Sequence, residues 1–261
     1  MKLTLAIPVM GQLEDTKGVW GTHIANISDK ENTEILVINN ASKDNTKEFL
    51  ERFVFPHFPD HRIVDNKDNI GVVGSMQQCV DYAKGDVIAI LHNDLYVFEY
   101  GWDKRVLNEF EADDKLGLLG FLGSRAVGIT GGRQFTMSNM IEAEIHGERI
   151  TDARSCVIFD GMSLIGRKKM FQEVGGFDLG YTYHHFYDRD ISMKSFTSGW
   201  NNKTIGVLCH HKSGVTANRA DYQTWIDKKM ETSNFTGDKA SYDRSEAYFI
   251  NKWKKFLPNG I

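Results

Sequence analysis

Cysteine is scarce in this chain, long apolar runs are missing, and neither sign of charge dominates. The three cysteines, Cys79, Cys156 and Cys209, form no disulfide framework, so a reducing cytoplasm is the expected compartment. No stretch approaches the ~20 apolar residues of a membrane span. Residues 1–10 lack the longer apolar core and small-residue cleavage site of a signal peptide and read instead as a first strand. A net charge of −4 and an isoelectric point near 6.1 argue against a broad nucleic-acid-binding face. The one small basic cluster, KWKK at 252–255, reads as a solvated helix face. Asn-x-Ser/Thr sequons such as those at Asn40 and Asn202 mean little without an export signal. Linkers, repeats and low-complexity tracts are absent.

What is present is an ordinary globular composition, 41% hydrophobic and 25% charged over 261 residues, enough to bury a sizeable core. Strand-like and helix-like segments alternate through the first half. Apolar runs at 3–9, 34–38, 61–65, 86–92 and 116–122 read as strands, with helical spacing from Asp44 to Phe53 and near 101–111. Val72, Val73, Met76, Cys79, Val80 and Ala83 recur at the spacing of an amphipathic helix. Repeated β-α-β units predict an α/β fold with a mostly parallel sheet between helices. Residues 123–154 hold five glycines and little periodicity, and read as a long lid or binding loop. Beyond it, strands are expected at 156–159, 162–166 and 204–209, and helices at 167–174 and from Asp188 to Thr197. The tail from 219 carries two helical patterns, with Trp225, Trp253 and Phe256 expected to pack back onto the body.

The most informative stretch is DVIAILHNDLYV at 86–97. Five apolar residues, Val87 to Leu91, stop abruptly at His92-Asn93-Asp94, as a buried parallel strand does at its carboxyl edge. Open α/β sheets gather their ligand-binding groups at that edge. A single such Asp is more often a turn residue or helix cap. Here it has company in Asn39-Asn40-Ala41-Ser42, Asp188-Arg189-Asp190 and Cys209-His210-His211. The last cluster is a poor zinc site, because adjacent residues cannot all face one ion and a Cys-x₂-Cys pair is absent.

Taken in order, six motifs resemble family-2 glycosyltransferases of the GT-A fold across residues 3–215. They are AIPVMGQ at 6–12, EILVINNASKDNT at 34–46, DNIGVVGSMQQCVDYAKGDVIAILHNDLYV at 68–97, FDGMSLIGRKKMFQEVGGFDLGY at 159–181, FYDRDISMKSFTSGW at 186–200 and VLCHHKSG at 207–214. The resemblance implies a nucleotide-sugar-binding half at 1–122, an acceptor and catalytic half at 123–218, and a helical extension at 219–261.

It also implies roles. Pro8, Val9, Asn39, Asn40, Asn69, Gly71, His92 and Asn93 would line the donor, with Asn39 and Asn40 where the family has Asp-Asp or Asp-Asn. Amides donate and accept, so they can still read a base edge. Gly71 would let the backbone approach the nucleotide at a helix N-terminus that favours negative charge. The bland alternative at each place is a turn or helix cap. Asp94 aligns with the family's metal-ligating acid, joined by His210 or His211. His92 replaces an acid or amide and, as an imidazole, favours Mn²⁺ over Mg²⁺. Asp188 aligns with the general base, preceded by Tyr187 where the family has Glu. Asp160, Gly161, Met162, Tyr187 and Asp190 would lie on the acceptor side, near an aromatic run (Tyr181, Tyr183, Phe186, Tyr187), with the Gly175-Gly176-Phe177-Asp178 turn positioning Asp188.

The implied activity is inverting, metal-dependent sugar transfer from a nucleotide-sugar, with a UDP-sugar favoured, to an acceptor hydroxyl. Glycan, protein, small molecule and modified DNA base all stay open as acceptors, and the acidic isoelectric point disfavours DNA. A nucleotidyltransferase is the rival enzyme class, but Gly11-Gln12-Leu13-Glu14-Asp15 has one glycine and two acids where such enzymes carry a Gly-rich basic phosphate loop. The departures at Asn39, His92 and Tyr187 leave a non-catalytic sugar- or nucleotide-binding relative as the third reading.

Overall fold

The computed structural model describes residues 1–142, 147–181, 183–212, 214, 218–230 and 237–261. Along the first half run β1 (Leu3–Val9), α1 (Leu13–Asn26), β2 (Thr33–Asn40), the short α2 (Thr46–Phe49), β3 (His61–Asn66), α3 (Gly71–Tyr82), β4 (Val87–Leu91), β5 (Leu95–Val97), α4 (Trp102–Ala112) and β6 (Leu116–Gly120). The second half adds β7 (Leu122–Val127), β8 (Arg133–Ser138), β9 (Glu148–Arg149), β10 (Ala153–Ser155), β11 (Ile158–Phe159), β12 (Ser163–Arg167), α5 (Lys168–Val174), α6 (Tyr187–Thr197), β13 (Asn201–Ile205), β14 (Cys209–His211), α7 (Ala220–Met230), α8 (Gly237–Trp253) and β15 (Asn259–Gly260).

The expected α/β architecture is present. Eight strands form a central sheet in the order β10-β13-β6-β12-β4-β1-β2-β3. From β4 to β3 every pair is parallel, and β13 joins β6 in parallel. The other pairs are antiparallel, because β12 runs against both β4 and β6, and β10 against β13.

Period-2 alternation splits each parallel strand between two cores. Leu3, Leu5, Ile7, Val9, Ile35, Val37, Val87, Ala89 and Leu91 face α1 and α4, against Val19, Trp20, Trp102, Val106 and Phe110. Ala6, Leu36, Ile38, Ile88 and Ile90 face Val73, Met76, Cys79 and Val80 of α3 and Ile191 and Met193 of α6. Both faces are covered, which explains why these strands read as unbroken apolar runs. From the tail, Phe249 and Trp253 of α8 join the second core, Trp225 packs edge-on against Tyr183, and Phe256 stays exposed beside Trp253. All three cysteines are buried and unpaired.

Two expectations need correcting. Residues 123–154 are not a structureless lid. They supply β7, β8 and β9 of a second sheet, in which β7 pairs antiparallel with β8, β11 and β15, and β8 with the short β9 in parallel. Its strands are short and glycine-interrupted, and β8 is exposed along its first half, so the alternation of a half-buried strand is faint. The strand expected at 204–209 is in fact two. β13 ends at Ile205, and β14 begins at Cys209 and pairs with β5 in a separate two-stranded ribbon. Among the described residues no helix is long and apolar enough to cross a membrane.

His23 of α1 is fully buried between the rings of Trp20 and Trp102, at 5.8 and 6.0 Å. Neither ring nitrogen has a hydrogen-bond partner, and burial lowers its pKa to about 3. In the unfolded chain the ordinary value is about 6.5. The folded value is the lower one, so this residue's stabilisation is complete above pH ~6.5 and is lost as pH falls from there towards 3. At pH 5 the protein should be about 2 kcal/mol less stable than at pH 7 from this side chain alone. His23→Phe should lose that part of the slope. Urea unfolding of both proteins at pH 7 and pH 5 is the measurement, and an identical drop in the two would contradict it.

Candidate active site

The parallel register brings the ends of β1, β2, β3 and β4 to one edge. Val9 lies opposite Asn39, Asn39 opposite Asp65, and Asn40 opposite Asn66. Against this edge lies a cavity of about 330 Å³, lined among others by Pro8, Val9, Asn40, Asn69, Gly71, His92, Asn93, Asp94, Asp160, Gly161, Tyr187, Asp188 and His211. Residues from seven separate chain segments therefore meet in one place.

On the β1–β2 side, amides lock the floor. Asn40 Nδ2 donates to Asn69 Oδ1 at 2.7 Å, and Asn40 Oδ1 accepts from the Ile70 N–H at 3.0 Å. Asn69 Oδ1 also accepts from the Gly71 N–H at 2.9 Å. Asn39 sits one step behind, donating to Asp65 at 2.8 Å and accepting from the Ser42 N–H at 3.1 Å, and is not on the cavity lining. Gly71 opens α3 at φ +79°, where a Cβ would come within 3.0 Å of the Tyr183 backbone. The Val72 N–H donates to the Tyr183 carbonyl at 2.8 Å, so a first-turn amide of this helix is already occupied.

Beyond β4, the His92-Asn93-Asp94 turn splits its duties. Asn93 donates to Thr16 Oγ1 at 2.8 Å, tying the turn to α1. Asp94 Oδ1 is 3.1 Å from His211 Nε2 and 3.9 Å from His92 Nδ1. The other nitrogen of His92 shares a hydrogen bond of 3.0 Å with the Tyr187 hydroxyl. The antiparallel pairing of β5 with β14 sets Leu95 opposite His211 and so carries His211 to Asp94. Strand alternation sends His210 to the opposite face, where it meets Glu142 and the ring of Tyr96. The two neighbours, equivalent in the sequence, are thus separated, and only His211 reaches the cavity.

The donor atoms of His92, Asp94 and His211 lie within 4.8 Å of one another, and two imidazoles with a carboxylate suit a divalent cation such as Mn²⁺. Their electrostatics are interlocked. Burial would raise the pKa of Asp94, but the hydrogen bond from His211 and the charges of both histidines lower it. His211 is pushed down by burial but raised overall by the hydrogen bond and charge of Asp94, with Asp160 and Glu142. His92 is lowered, chiefly by burial.

Across the cavity, Asp188 stands in the first turn of α6, almost buried. Its carboxylate accepts from the Gly161 N–H at 3.1 Å and the Arg189 N–H at 2.8 Å. Gly161 must be glycine here, since a Cβ would lie 2.3 Å from the Tyr187 hydroxyl. Arg133 of β8 pairs with Asp160 and stands 3.7 Å from Asp188. Burial raises the pKa of Asp160, but the Arg133 charge, together with His211, the Met162 N–H and His92, holds the carboxyl well below the usual range. The Tyr187 phenol is pushed far up by burial and by the charges of Asp188 and Asp160, which keeps its proton in place.

Two expected acceptor-side residues lie elsewhere. Met162 is wholly buried in the core and contributes only its backbone, the N–H to Asp160 at 3.0 Å and the carbonyl to the His92 N–H at 3.0 Å. Asp190, two residues along α6, points away from the cavity, where it accepts from Tyr181 at 2.9 Å, Trp253 at 2.8 Å and Lys252 at 2.8 Å. Of the aromatic run, Phe186 and Tyr187 line the cavity, whereas Tyr181 faces Asp190. The glycine turn reaches α6 through Phe177, whose ring is 6.2 Å from that of Tyr187, and through Gly176, whose carbonyl accepts from Lys194 at 2.8 Å. Arg133, His184, His185, Tyr222 and Tyr242 also line the cavity and were not anticipated. A histidine pair inside an aromatic run was the one available signal.

The glycosyl transferase family 2 model matches residues 19–175, more than half of the chain. No curated protein matches it. Among solved structures the chain is similar to the mannosyltransferase PcManGT from Pyrobaculum calidifontis in complex with GDP-Man and Mn²⁺ (TM-score 0.62, 15% identity, covering 88% of this chain and 61% of that one). It is similar to GalNAc-T7 with UDP, GalNAc and Mn²⁺ (TM-score 0.65, 14% identity, 97% and 56%). S. aureus TarS 1–349 in complex with UDP-GlcNAc is a third (TM-score 0.60, 14% identity, 98% and 74%). The chain spans less than two thirds of the length of the first two. At these identities the likeness shows the fold, which is GT-A.

The floor's dependence on Gly71 is open to test. Gly71→Ala forces a side chain into a left-handed backbone and against Tyr183, and should lower stability by at least about 1 kcal/mol. A shifted urea midpoint checks this, and an unchanged midpoint contradicts it.

Proposed function

Because the chain belongs to glycosyl transferase family 2, we propose that it is an inverting, metal-dependent glycosyltransferase that moves a sugar from a nucleotide-sugar to an acceptor hydroxyl. The observation that carries this reading is the meeting of Asp94, His211 and Asp188, from three distant parts of the chain, on a single cavity at the carboxyl edge of the sheet. Solved neighbours of the same fold are named with nucleotides or nucleotide-sugars, two of them with Mn²⁺. A UDP-sugar is the favoured donor, and the cytoplasm, in keeping with three unpaired thiols, the favoured location.

In this reading the nucleotide lies along Pro8, Val9, Asn40, Asn69 and Gly71, with Asn39 holding Asn40's strand end in place. Asp94 and His211 would hold a divalent cation, and His92, kept in orientation by Tyr187, would turn Nδ1 towards it. Such an ion supplies positive charge beside the departing diphosphate. Asp188 takes the proton of the acceptor hydroxyl as that oxygen attacks the anomeric carbon. Its two backbone N–H contacts leave other lone pairs free to accept. Attack opposite the leaving group is a single displacement, and it inverts the anomeric centre. Arg133, drawn towards Asp160, balances the charge without capturing Asp188. Phe186, Tyr187, Tyr222 and Tyr242 give the acceptor an aromatic wall.

Two predictions test this. Release of nucleoside diphosphate from a panel of nucleotide-sugars should stop with chelator and return with Mn²⁺. His211→Ala should weaken Mn²⁺ binding by at least about tenfold, while His210→Ala leaves it near wild type. Equal effects of the two variants, or full activity in chelator, would sink the metal role. Asp188→Asn should lower kcat by about 10²–10⁴-fold with donor affinity kept. Asp190→Asn should act on stability instead, because it loosens the anchor to Trp253 and Lys252. An active Asp188→Asn enzyme would overturn the assignment.

A further inference from the structure

A second group of metal-ligating side chains stands where α8 meets the segment that leads into Asp188. His184 Nδ1 is 3.6 Å from Asp238 Oδ1, and His185 Nε2 is 3.1 Å from the same oxygen. All three donor atoms fall within 4.8 Å of one another. His184 Nδ1 is a buried atom with no hydrogen-bond partner. The two imidazoles lie close together, ring centroids 4.0 Å apart and planes tilted by 36°, an approach that two cationic rings would not favour.

Adjacent residues in an extended strand point to opposite sides, as His210 and His211 do. Here the backbone removes that obstacle. Tyr183, His185 and Phe186 all have positive φ, at 43°, 71° and 60°. None of them is glycine, so each conformation is unfavourable on its own. The result is that two successive histidines turn to the same carboxylate. Strain concentrated in so short a stretch, beside a cavity, is a mark of sites with a purpose.

We propose that His184, His185 and Asp238 form a second metal site, separate in its ligands from Asp94 and His211 and suited to Zn²⁺. Two imidazole nitrogens and a carboxylate oxygen are a common zinc set, and three protein ligands leave one position for water. Zinc binds such nitrogen-rich sites more tightly than Mn²⁺ does. Bound there, the ion clamps the first turn of α8 to the chain immediately before α6. Since His184 and His185 also line the cavity, the clamp sets the wall next to Asp188.

The test uses the full chain, stripped of metal with chelator. In an Asp94→Ala/His211→Ala background the first site is gone, so calorimetric titration with Zn²⁺ reports the second alone. One equivalent should bind, and the unfolding temperature should rise with added Zn²⁺. Adding Asp238→Asn should weaken that binding at least about tenfold, since even residues that only orient a ligand are worth about that much. No Zn²⁺ binding in the folded background variant, or binding that Asp238→Asn leaves unchanged, overturns the site. If circular dichroism finds the background variant unfolded, metal content after gel filtration with Zn²⁺ decides between wild type and His185→Gln. One equivalent fewer in His185→Gln supports the site, and equal content overturns it.

Discussion

In the parallel half of the sheet, β1 pairs with β2 on one side and β4 on the other, so that Leu5 lies between Ile35 and Ala89. This register is held by two apolar layers, and a slip of one residue would turn every buried side chain of a strand to the opposite core. Everything at the candidate site hangs from it. Val9, Asn40, Asn66 and the His92 turn reach the same edge because their strands start together and run in one direction. The amide contacts among Asn40, Asn69 and Gly71 then need no further support than two strand ends and a helix start.

The cavity concentrates acid. Asp94, Asp160 and Asp188 all face it, and three carboxylates close together would repel one another and protonate unless opposed. A histidine and an arginine from outside the parallel half supply the opposition. His211 arrives on β14 and Arg133 on β8. Each bonds to one acid, and Arg133 also stands 3.7 Å from a second. Asp188 therefore remains the acid without a close ion pair.

Asp190 shows the other use of a buried acid. Removed from water, it is matched by the Lys252 ammonium and by hydroxyl and indole donors from Tyr181 and Trp253. Breaking a buried pair from one side is costly, because the remaining charge is stranded. This network, with the Asp238 contacts at the other end of α8, pins the C-terminal helix to α6 and the segment before it. Two carboxylates two residues apart on α6 thus separate, Asp188 facing the cavity and Asp190 a buried network.

The strands of the parallel half, the amphipathic α3 and the polar residues at strand ends were legible in the chain itself. Each rests on a local pattern, whether an apolar run, a 3.6-residue period or an abrupt change from apolar to polar. The six ordered motifs added the family and its GT-A fold, which the comparisons bear out. Residues 123–154 gave no such pattern, because short, glycine-broken strands on a partly exposed sheet alternate only weakly, and Arg133 was hidden with them. Nor could the chain rank His211 above His210, or separate Asp188 from Asp190 by more than a helical angle. Those choices depend on contacts across great sequence distances. Asp94 and His211 are 117 positions apart, and only the pairing of β5 with β14 decides which of two adjacent histidines faces the acid. Local periodicity determined the framework, and long-range packing decided which side chains share the cavity.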